Sequence, residues 1–156
     1  MRYHLSLGSN LGEREQTLRQ AITLIEQQIG PVLRCSSFFY SEPWGFESAH
    51  GFCNLCCAVE TPLSPMEVLT RTQSIERALG RNHKSPRLCR SSEITNNKPV
   101  YSDRTIDIDI IEAFDEQGKE IQLNTPTLTL PHPLWTQRDF VRIPLQEIKK
   151  ESSKAL

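Results

Sequence analysis

The chain has 156 residues, of which 37% are hydrophobic and 24% charged, and its formal net charge is −1. This length and composition predict one globular domain over residues 1–156 and exclude a largely disordered chain. The small net charge gives no long-range attraction to nucleic acid or anionic membranes, and no apolar run reaches the ~20 residues of a membrane-spanning helix. We therefore expect a cytoplasmic enzyme or binding protein.

The first sixty residues predict one helix among three strands. A short strand covers residues 3–7 and ends in a turn at residues 8–12, which matches neither the P-loop nor the Rossmann pattern. A helix follows and stops at Gly30-Pro31. Residues 32–40 have the character of a second strand, and a third covers residues 52–61. The apolar residues at helical spacing are Leu18, Ala21, Ile22, Ile25 and Ile29.

The second half opens with a helix and a long polar segment. Ser64 and Glu67 form a capping box around Pro65 at the first helical position, so a helix begins there, and Gly80 marks its end. Residues 81–103 are polar and rich in Lys, Arg, Asn and Ser, with no clear period. A loop of this length inside a compact domain usually serves a function or moves.

A last strand precedes the C-terminal region. It carries two aspartates and is followed by a hairpin turn at residues 115–118 and a short amphipathic tail, whose residues 149–156 we expect to fray. The order strand, helix, strand, strand, helix, strand predicts an α+β fold, the ferredoxin-like βαββαβ sandwich. We expect a mainly antiparallel sheet with its helices packed on one face, together with a long mobile loop and a C-terminal extension.

Three of the five cysteines cluster at Cys53, Cys56 and Cys57, inside the apolar run of the third strand. A Cys-x-x-Cys pair can hold zinc, but no second Cys/His pair lies at a usable spacing. We therefore predict small, reduced cysteines in the core and assign no metal to them.

The most informative segment is a β-branched run that contains Asp107 and Asp109. Because side chains alternate in a strand, these two carboxylates share one face while the isoleucines around them share the other. Such a pair favours oxygen-ligated Mg²⁺ that also carries substrate phosphates. Arg104, just before the pair, adds a cation suited to gripping phosphate. A half-exposed strand with two solvated aspartates is the alternative.

Further side chains could bind a flat, phosphorylated ligand. Asn54 offers a donor and an acceptor together, and aromatic faces offer stacking area. His132, between two prolines, could contact phosphate. Glu76 and Arg81 flank the end of the second helix beside the basic segment. Core aromatics, a structural histidine and a solvated helix end are the alternatives. The aromatic candidates are Trp44, Phe52 and Phe140.

With these residues assembled, the chain resembles the 6-hydroxymethyl-7,8-dihydropterin pyrophosphokinase family over roughly residues 3–148. The segments that carry the resemblance are Leu5-Ser6-Leu7-Gly8-Ser9-Asn10-Leu11-Gly12, Ser36-Ser37-Phe38, Glu42-Pro43-Trp44-Gly45, Phe52-x-Asn54, Ile75-Glu76-x-x-x-Gly80-Arg81, Arg104-x-x-Asp107-x-Asp109 and Leu130-Pro131-His132. The resemblance implies diphosphate transfer from ATP to the hydroxymethyl group of 6-hydroxymethyl-7,8-dihydropterin, with release of AMP, in folate biosynthesis.

The resemblance also implies ligands for the site residues. Asp107 and Asp109 would hold two Mg²⁺ ions and act in catalysis with Arg81 and Arg104, and Asp109 would assist deprotonation of the hydroxyl. Residues 82–103 would form a mobile lid. We expect a monomer that acts on ATP and the dihydropterin and binds neither nucleic acid nor membrane. The implied pterin site is Ser41, Glu42, Trp44, Phe52, Asn54 and Phe140. The implied ATP site is Glu76, Arg81, Arg104, Ile108, Thr129, His132 and Arg138.

Two rival functions remain open on the sequence. A nucleotidyltransferase also pairs an early Gly-Ser with an Asp-x-Asp strand, but those elements normally lie close in sequence, whereas Ser9 and Asp107 are far apart. A non-catalytic ferredoxin-like module, either a small-ligand regulator or an RNA binder, is the second. An RNA-binding sheet should display aromatics and a basic face, and a regulator has no need of Arg104 beside two aspartates.

Overall fold

The computed structural model describes residues 1–10, 13–41, 51–80, 106–133 and 135–154, with side chains as far as Lys149. Within these ranges the chain is built from seven strands, three α-helices and one 3₁₀ turn. The strands are β1 (Arg2–Ser9), β2 (Val32–Cys35), β3 (Phe39–Ser41), β4 (Phe52–Glu60), β5 (Asp107–Phe114), β6 (Leu123–Asn124) and β7 (Thr129–Leu130). The helices are α1 (Arg14–Gln28), α2 (Pro65–Ala78) and α3 (Asp139–Lys154), and the 3₁₀ turn is Trp135–Gln137.

The main sheet has the order β2-β4-β1-β5, every pair is antiparallel, and β3 also pairs with β4. Strands β6 and β7 form a separate antiparallel pair. The prediction of a mixed helix and antiparallel-sheet fold is confirmed. A single strand over residues 32–40 is wrong, because β2 and β3 are separate strands that each pair with β4. Between them the Ser36 hydroxyl accepts a hydrogen bond from the Cys56 amide at 3.0 Å.

The first face of the sheet is covered by α1 and α2. Tyr3, Leu5 and Leu7 of β1 point to this face and are almost completely buried. Helix α2 begins at the predicted capping box, in which the Ser64 hydroxyl accepts from the Glu67 amide and the Glu67 carboxylate accepts from the Ser64 amide. The buried helix residues on this face are Leu18, Ala21 and Ile25 of α1 and Val68, Thr72 and Ile75 of α2.

The second face is covered in part by α3. The two helices of the predicted βαββαβ order do pack together on the first face, whereas the C-terminal extension forms a third helix on the opposite face. The backbone is helical to Lys154, so the expectation of fraying from residue 149 is wrong. Apolar residues spaced four and three apart on α3 bury an amphipathic stripe against the sheet. The cluster between them contains Cys56, Ala58, Ile111, Val141, Leu145 and Ile148.

The three clustered cysteines are divided between these two cores. Cys53 and Cys57 face the core under α1 and α2, and Cys56 faces α3, and all three are buried free thiols. Burial raises the pKa of Cys56 to about 12, so its thiol stays protonated. No group of three or more potential metal ligands occurs among the described residues. The prediction of buried core cysteines is confirmed.

Strands β1 and β5 pair around a β-bulge. Leu5 lies opposite Ile110 and His4 lies opposite Glu112, so Ile111 is an extra residue. As a result Ile111 and Glu112, although adjacent, both face α3. The Glu112 carboxylate is buried there and accepts from His4 Nδ1 at 2.7 Å and from Lys149 Nζ at 2.9 Å. This cluster fastens α3 to the sheet.

Glu112→Gln should lower the free energy of unfolding by about 2 kcal/mol at neutral pH, since it removes the charge of a buried acceptor. Burial alone would raise the pKa of Glu112, but hydrogen bonds from His4 and Lys149 outweigh it and hold the pKa below the ordinary 4.5. A lowered pKa in the folded state stabilises the fold above the unfolded value and loses that effect as pH falls through the folded value. The difference between wild type and variant should therefore be full above pH 4.5 and shrink below it, as measured by urea unfolding over a pH series.

A matched control is Asp139→Asn, which breaks the exposed 2.8 Å pair between Asp139 and Arg142 on α3. Exposed pairs contribute little, so this change should cost less than about 0.5 kcal/mol. Equal losses for the two variants at neutral pH would contradict a stabilising role for the buried cluster.

Candidate functional site

A row of three residues crosses the second face of the sheet beyond α3. Gly8 of β1 lies opposite Asn54 of β4 on one side and opposite Asp107 of β5 on the other. In the next row on this face, Ser6 lies opposite Cys56 and Asp109. The site is therefore assembled from three strands that are far apart in sequence and adjacent in the sheet.

The two aspartates of β5 share the second face, as expected. Asp107 and Asp109 are partly buried, whereas Ile106, Ile108 and Ile110 are buried in the core under α1 and α2. The expected separation of acidic and apolar side chains onto opposite faces is confirmed. Two carboxylates on one half-buried face form a donor set that fits Mg²⁺, which takes few protein ligands and completes its coordination with water and substrate phosphates.

Gly8 is buried where the Asn54 side chain lies against β1. A Cβ atom at Gly8 would lie 2.7 Å from Asn54 Oδ1 and 3.6 Å from Phe52 Cδ1. Only glycine leaves room for the Asn54 amide at this place in the sheet. The sequence pattern alone places Gly8 in a turn, while the structure places it inside β1. The sequence offers one signal for this position. A glycine within a run of strand residues indicates that another part of the chain comes close to its backbone.

Glu76 of α2 reaches the strand that carries the aspartates. Its side chain is buried, and its Oε2 accepts a hydrogen bond of 2.7 Å from the amide of Ile108, the residue between Asp107 and Asp109. A solvated helix end therefore does not describe Glu76. The contact fixes the end of α2 to the edge of β5, where it positions the segment that carries both carboxylates.

A pocket of about 250 Å³ opens beside the same edge of β5. Its walls include Leu69 of α2, Ile108 and Asp109 of β5, and Thr129 and His132 from the chain around β7. The pocket thus brings together three residues expected to bind ATP and one of the two expected to bind metal. The lining exposes more polar than apolar surface and includes the Asp109 carboxylate, so the pocket suits a ligand with many hydrogen-bonding groups, such as a nucleotide.

His132 lines this pocket, and Arg138 lies near His132. The His132 amide donates to the Ile111 carbonyl at 2.7 Å, which fixes the residue against the bulge. Burial and the neighbouring Arg138 lower the pKa of His132, against a smaller opposite effect of Asp107, so the imidazole is neutral at pH 7. The Arg138 guanidinium carbon lies 5.8 Å above the centre of the Phe140 ring.

Several predicted site residues lie outside the described ranges. Glu42 and Trp44 of the expected pterin site fall there, as do Arg81, Arg104 and the expected lid over residues 82–103. Their roles remain predictions. Ser41 and Asn54 are described and are in contact, since Asn54 Nδ2 lies 2.9 Å from Ser41 Oγ.

The sequence matches, over residues 4–150, the family described as 7,8-dihydro-6-hydroxymethylpterin-pyrophosphokinase (HPPK). A Porphyromonas gingivalis protein named 2-amino-4-hydroxy-6-hydroxymethyldihydropteridine pyrophosphokinase is 44% identical over 145 residues, which cover 93% of this chain and 88% of that protein. A Bacillus subtilis protein of the same name is 34% identical over 157 residues, covering 97% of this chain and 83% of that protein.

A solved structure described as HPPK-DHPS in complex with substrates has a TM-score of 0.60 with this chain at 15% sequence identity. The similarity covers 94% of this chain and 40% of the solved chain. At this identity the likeness concerns the fold alone, and it agrees with the mixed helix and antiparallel sheet described above. Every helix in the described ranges is too short or too polar to cross a membrane.

Proposed function

Since this chain belongs to the 7,8-dihydro-6-hydroxymethylpterin-pyrophosphokinase family, we propose that it transfers diphosphate from ATP to the hydroxymethyl group of 6-hydroxymethyl-7,8-dihydropterin, releasing AMP, in folate biosynthesis. The row of Asn54, Gly8 and Asp107 carries this proposal. Two interstrand spacings separate the outer residues by about 10 Å. A substrate with a flat ring at one end and a reacting hydroxyl at the other fits such a row.

The dihydropterin ring belongs beside Asn54, with its polar edge against that side chain. Phe52 and Phe140, both partly buried, supply apolar surface on this face. Ser41 and the neighbouring Glu42 and Trp44 complete the pterin site in this proposal. With the ring edge at Asn54, the hydroxymethyl group points toward the two aspartates of β5.

ATP belongs in the pocket beside β5. Its adenosine part fits between Leu69, Ile108 and Thr129, and its phosphates then extend past Asp109. The neutral His132 imidazole offers a hydrogen-bond donor there, and the Arg138 guanidinium adds positive charge. Arg81 and Arg104, together with Glu76, complete the nucleotide and phosphate site in this proposal.

The chemistry of diphosphate transfer requires positioning and charge neutralisation more than a covalent residue. Asp107 and Asp109 would hold two Mg²⁺ ions, which when bound neutralise the triphosphate and orient it for in-line attack on the β-phosphorus. Asp109 would also take the proton of the attacking hydroxyl. Arg81 and Arg104 would stabilise the charge that develops on the transferred diphosphate.

The observed strand order supports assignment to the ferredoxin-like sandwich, because β2-β4-β1-β5 is the order that the split βαβ arrangement produces when its second strand is divided into β2 and β3. The third helix, α3, is an addition on the opposite face. We further propose that the protein acts as a cytoplasmic monomer on small-molecule substrates.

Incubation with ATP, Mg²⁺ and 6-hydroxymethyl-7,8-dihydropterin should yield AMP and the pterin diphosphate in equal amounts, as measured by chromatography. Omitting either the pterin or Mg²⁺ should abolish AMP formation. A nucleotidyltransferase would instead release free pyrophosphate, and a binding module would leave ATP intact. Either result would contradict the proposed reaction.

A further inference from the structure

The segment between β7 and α3 carries both His132 and Arg138, and backbone hydrogen bonds hold each of them. The His132 amide donates to the Ile111 carbonyl at 2.7 Å. The Arg138 amide donates to the Trp135 carbonyl at 3.3 Å, and the Arg138 carbonyl accepts from the amide of Arg142 in α3 at 2.8 Å. The position of Arg138 therefore depends on the 3₁₀ turn before it and on α3 after it.

Lys149 of α3 contacts the first residue of this turn. Its Nζ lies 5.5 Å from the centre of the Trp135 ring, within the range of a cation–π contact. The same Nζ lies 2.9 Å from Glu112 Oε2, and the Glu112 side chain is only 5% exposed. The buried carboxylate therefore anchors the ammonium beside the indole, which itself packs against the apolar cluster between α3 and the sheet.

We propose that Lys149 is a positioning residue for the nucleotide, which acts through Trp135 to hold the turn that ends at Arg138. The inference rests on the proposed function and adds to it a residue of α3 that the proposed reaction does not otherwise use. In that function the Arg138 guanidinium binds the phosphates of ATP. A turn that is less well ordered must be ordered when ATP binds, so its loosening costs affinity for ATP and leaves the affinity for the pterin unchanged.

The test compares Lys149→Met and Lys149→Arg with wild type, at a temperature where circular dichroism shows each protein to be folded. Lys149→Met removes the charge and should raise the KM for ATP about fivefold, the factor expected for one cation–π contact. The KM for the dihydropterin should stay within about twofold of wild type. Lys149→Arg can still pair with Glu112 and stack on Trp135, so it should restore most of the loss.

Two controls separate positioning from a general loss of stability or charge. His4→Phe removes the other hydrogen bond to Glu112 and leaves Lys149 beside Trp135. Lys119→Met removes an exposed positive charge from the hairpin after β5. Both should keep the KM for ATP within about twofold of wild type. A wild-type KM for ATP in Lys149→Met would overturn the inference, and so would an equal increase in His4→Phe.

A double-mutant cycle tests the route through Arg138 and separates this inference from the proposed reaction. The affinities of wild type, Lys149→Met, Arg138→Ala and the double variant for a non-hydrolysable ATP analogue with Mg²⁺, measured by calorimetry, do not depend on turnover. In the Arg138→Ala background Lys149→Met should have no further effect, because the side chain that it positions is gone. That result would support the inference even if no AMP forms. Losses that multiply in the double variant, or an Arg138→Ala protein that binds as wild type does, would overturn it even if turnover is normal.

Discussion

Asp109→Ala should lower the rate of pterin-dependent AMP formation by about a thousandfold or more, since metal-assisted charge neutralisation supplies several kcal/mol and each 1.4 kcal/mol is a factor of ten in rate. Asp109 lines the pocket beside β5 and shares a face of the sheet with Asp107. Its carboxylate therefore belongs both to the proposed nucleotide pocket and to the face on which the proposed pterin site lies. The fold should persist, because the residue is only partly buried. Initial rates over a Mg²⁺ titration would measure the effect.

Glu116→Ala is the control for this variant. Glu116 is an exposed acidic residue in the turn after β5, so its removal changes the net charge equally without reaching the site. Its rate should stay within about twofold of wild type. A folded Asp109→Ala protein with near-normal turnover would refute the metal role of this strand.

Gly8→Ala should reduce kcat/KM for the dihydropterin by about 100-fold, the scale expected when a substrate or its contacts are displaced by about 1 Å. The new Cβ would lie 2.7 Å from Asn54 Oδ1, and Asn54 is held by two hydrogen bonds, so the amide cannot move without losing them. The KM for ATP should change far less, since the nucleotide pocket lies beyond Asp107 on β5. Steady-state kinetics with each substrate varied in turn would separate the two effects.

A second glycine provides the contrast. Gly118 has a φ of 83° and no heavy atom within 4 Å of an added Cβ, so Gly118→Ala strains the backbone and touches no binding residue. This variant should lose about 1 kcal/mol of unfolding free energy and keep its kinetic constants. If Gly8→Ala behaved in the same way, the close approach of Asn54 to Gly8 would have no part in substrate binding.

The alternation around Asp107 and Asp109 is the part of the site that can be predicted best from the sequence. Period-two patterning is local, and the isoleucines that alternate with the carboxylates leave one arrangement that buries apolar surface. The capping box at Ser64 is equally local and is found where it was expected. Features that depend on neighbours within a few residues are therefore recoverable from a single chain.

The roles of Gly8 and Glu76 depend on contacts between distant segments. Gly8 lies opposite Asn54 and Asp107 only when β1 pairs with β4 and β5 in one particular register. No local sequence pattern sets that register. Glu76 lies on a helix whose end looks solvated until the edge of β5 is placed against it. The position of α3 also depends on contacts between distant segments and cannot be predicted from a local pattern. Apolar residues on both faces of β4 indicate only that another element packs against each face.

The edge of β5 has a consequence for behaviour in concentrated solution. An edge strand with unpaired amides and carbonyls is a template on which a strand of another molecule can add. Here the Ile108 amide is occupied by the Glu76 carboxylate, and the Ile111 carbonyl is occupied by the His132 amide. The contacts beside the proposed nucleotide pocket thus also occupy groups on this edge that could otherwise pair with a strand of another molecule.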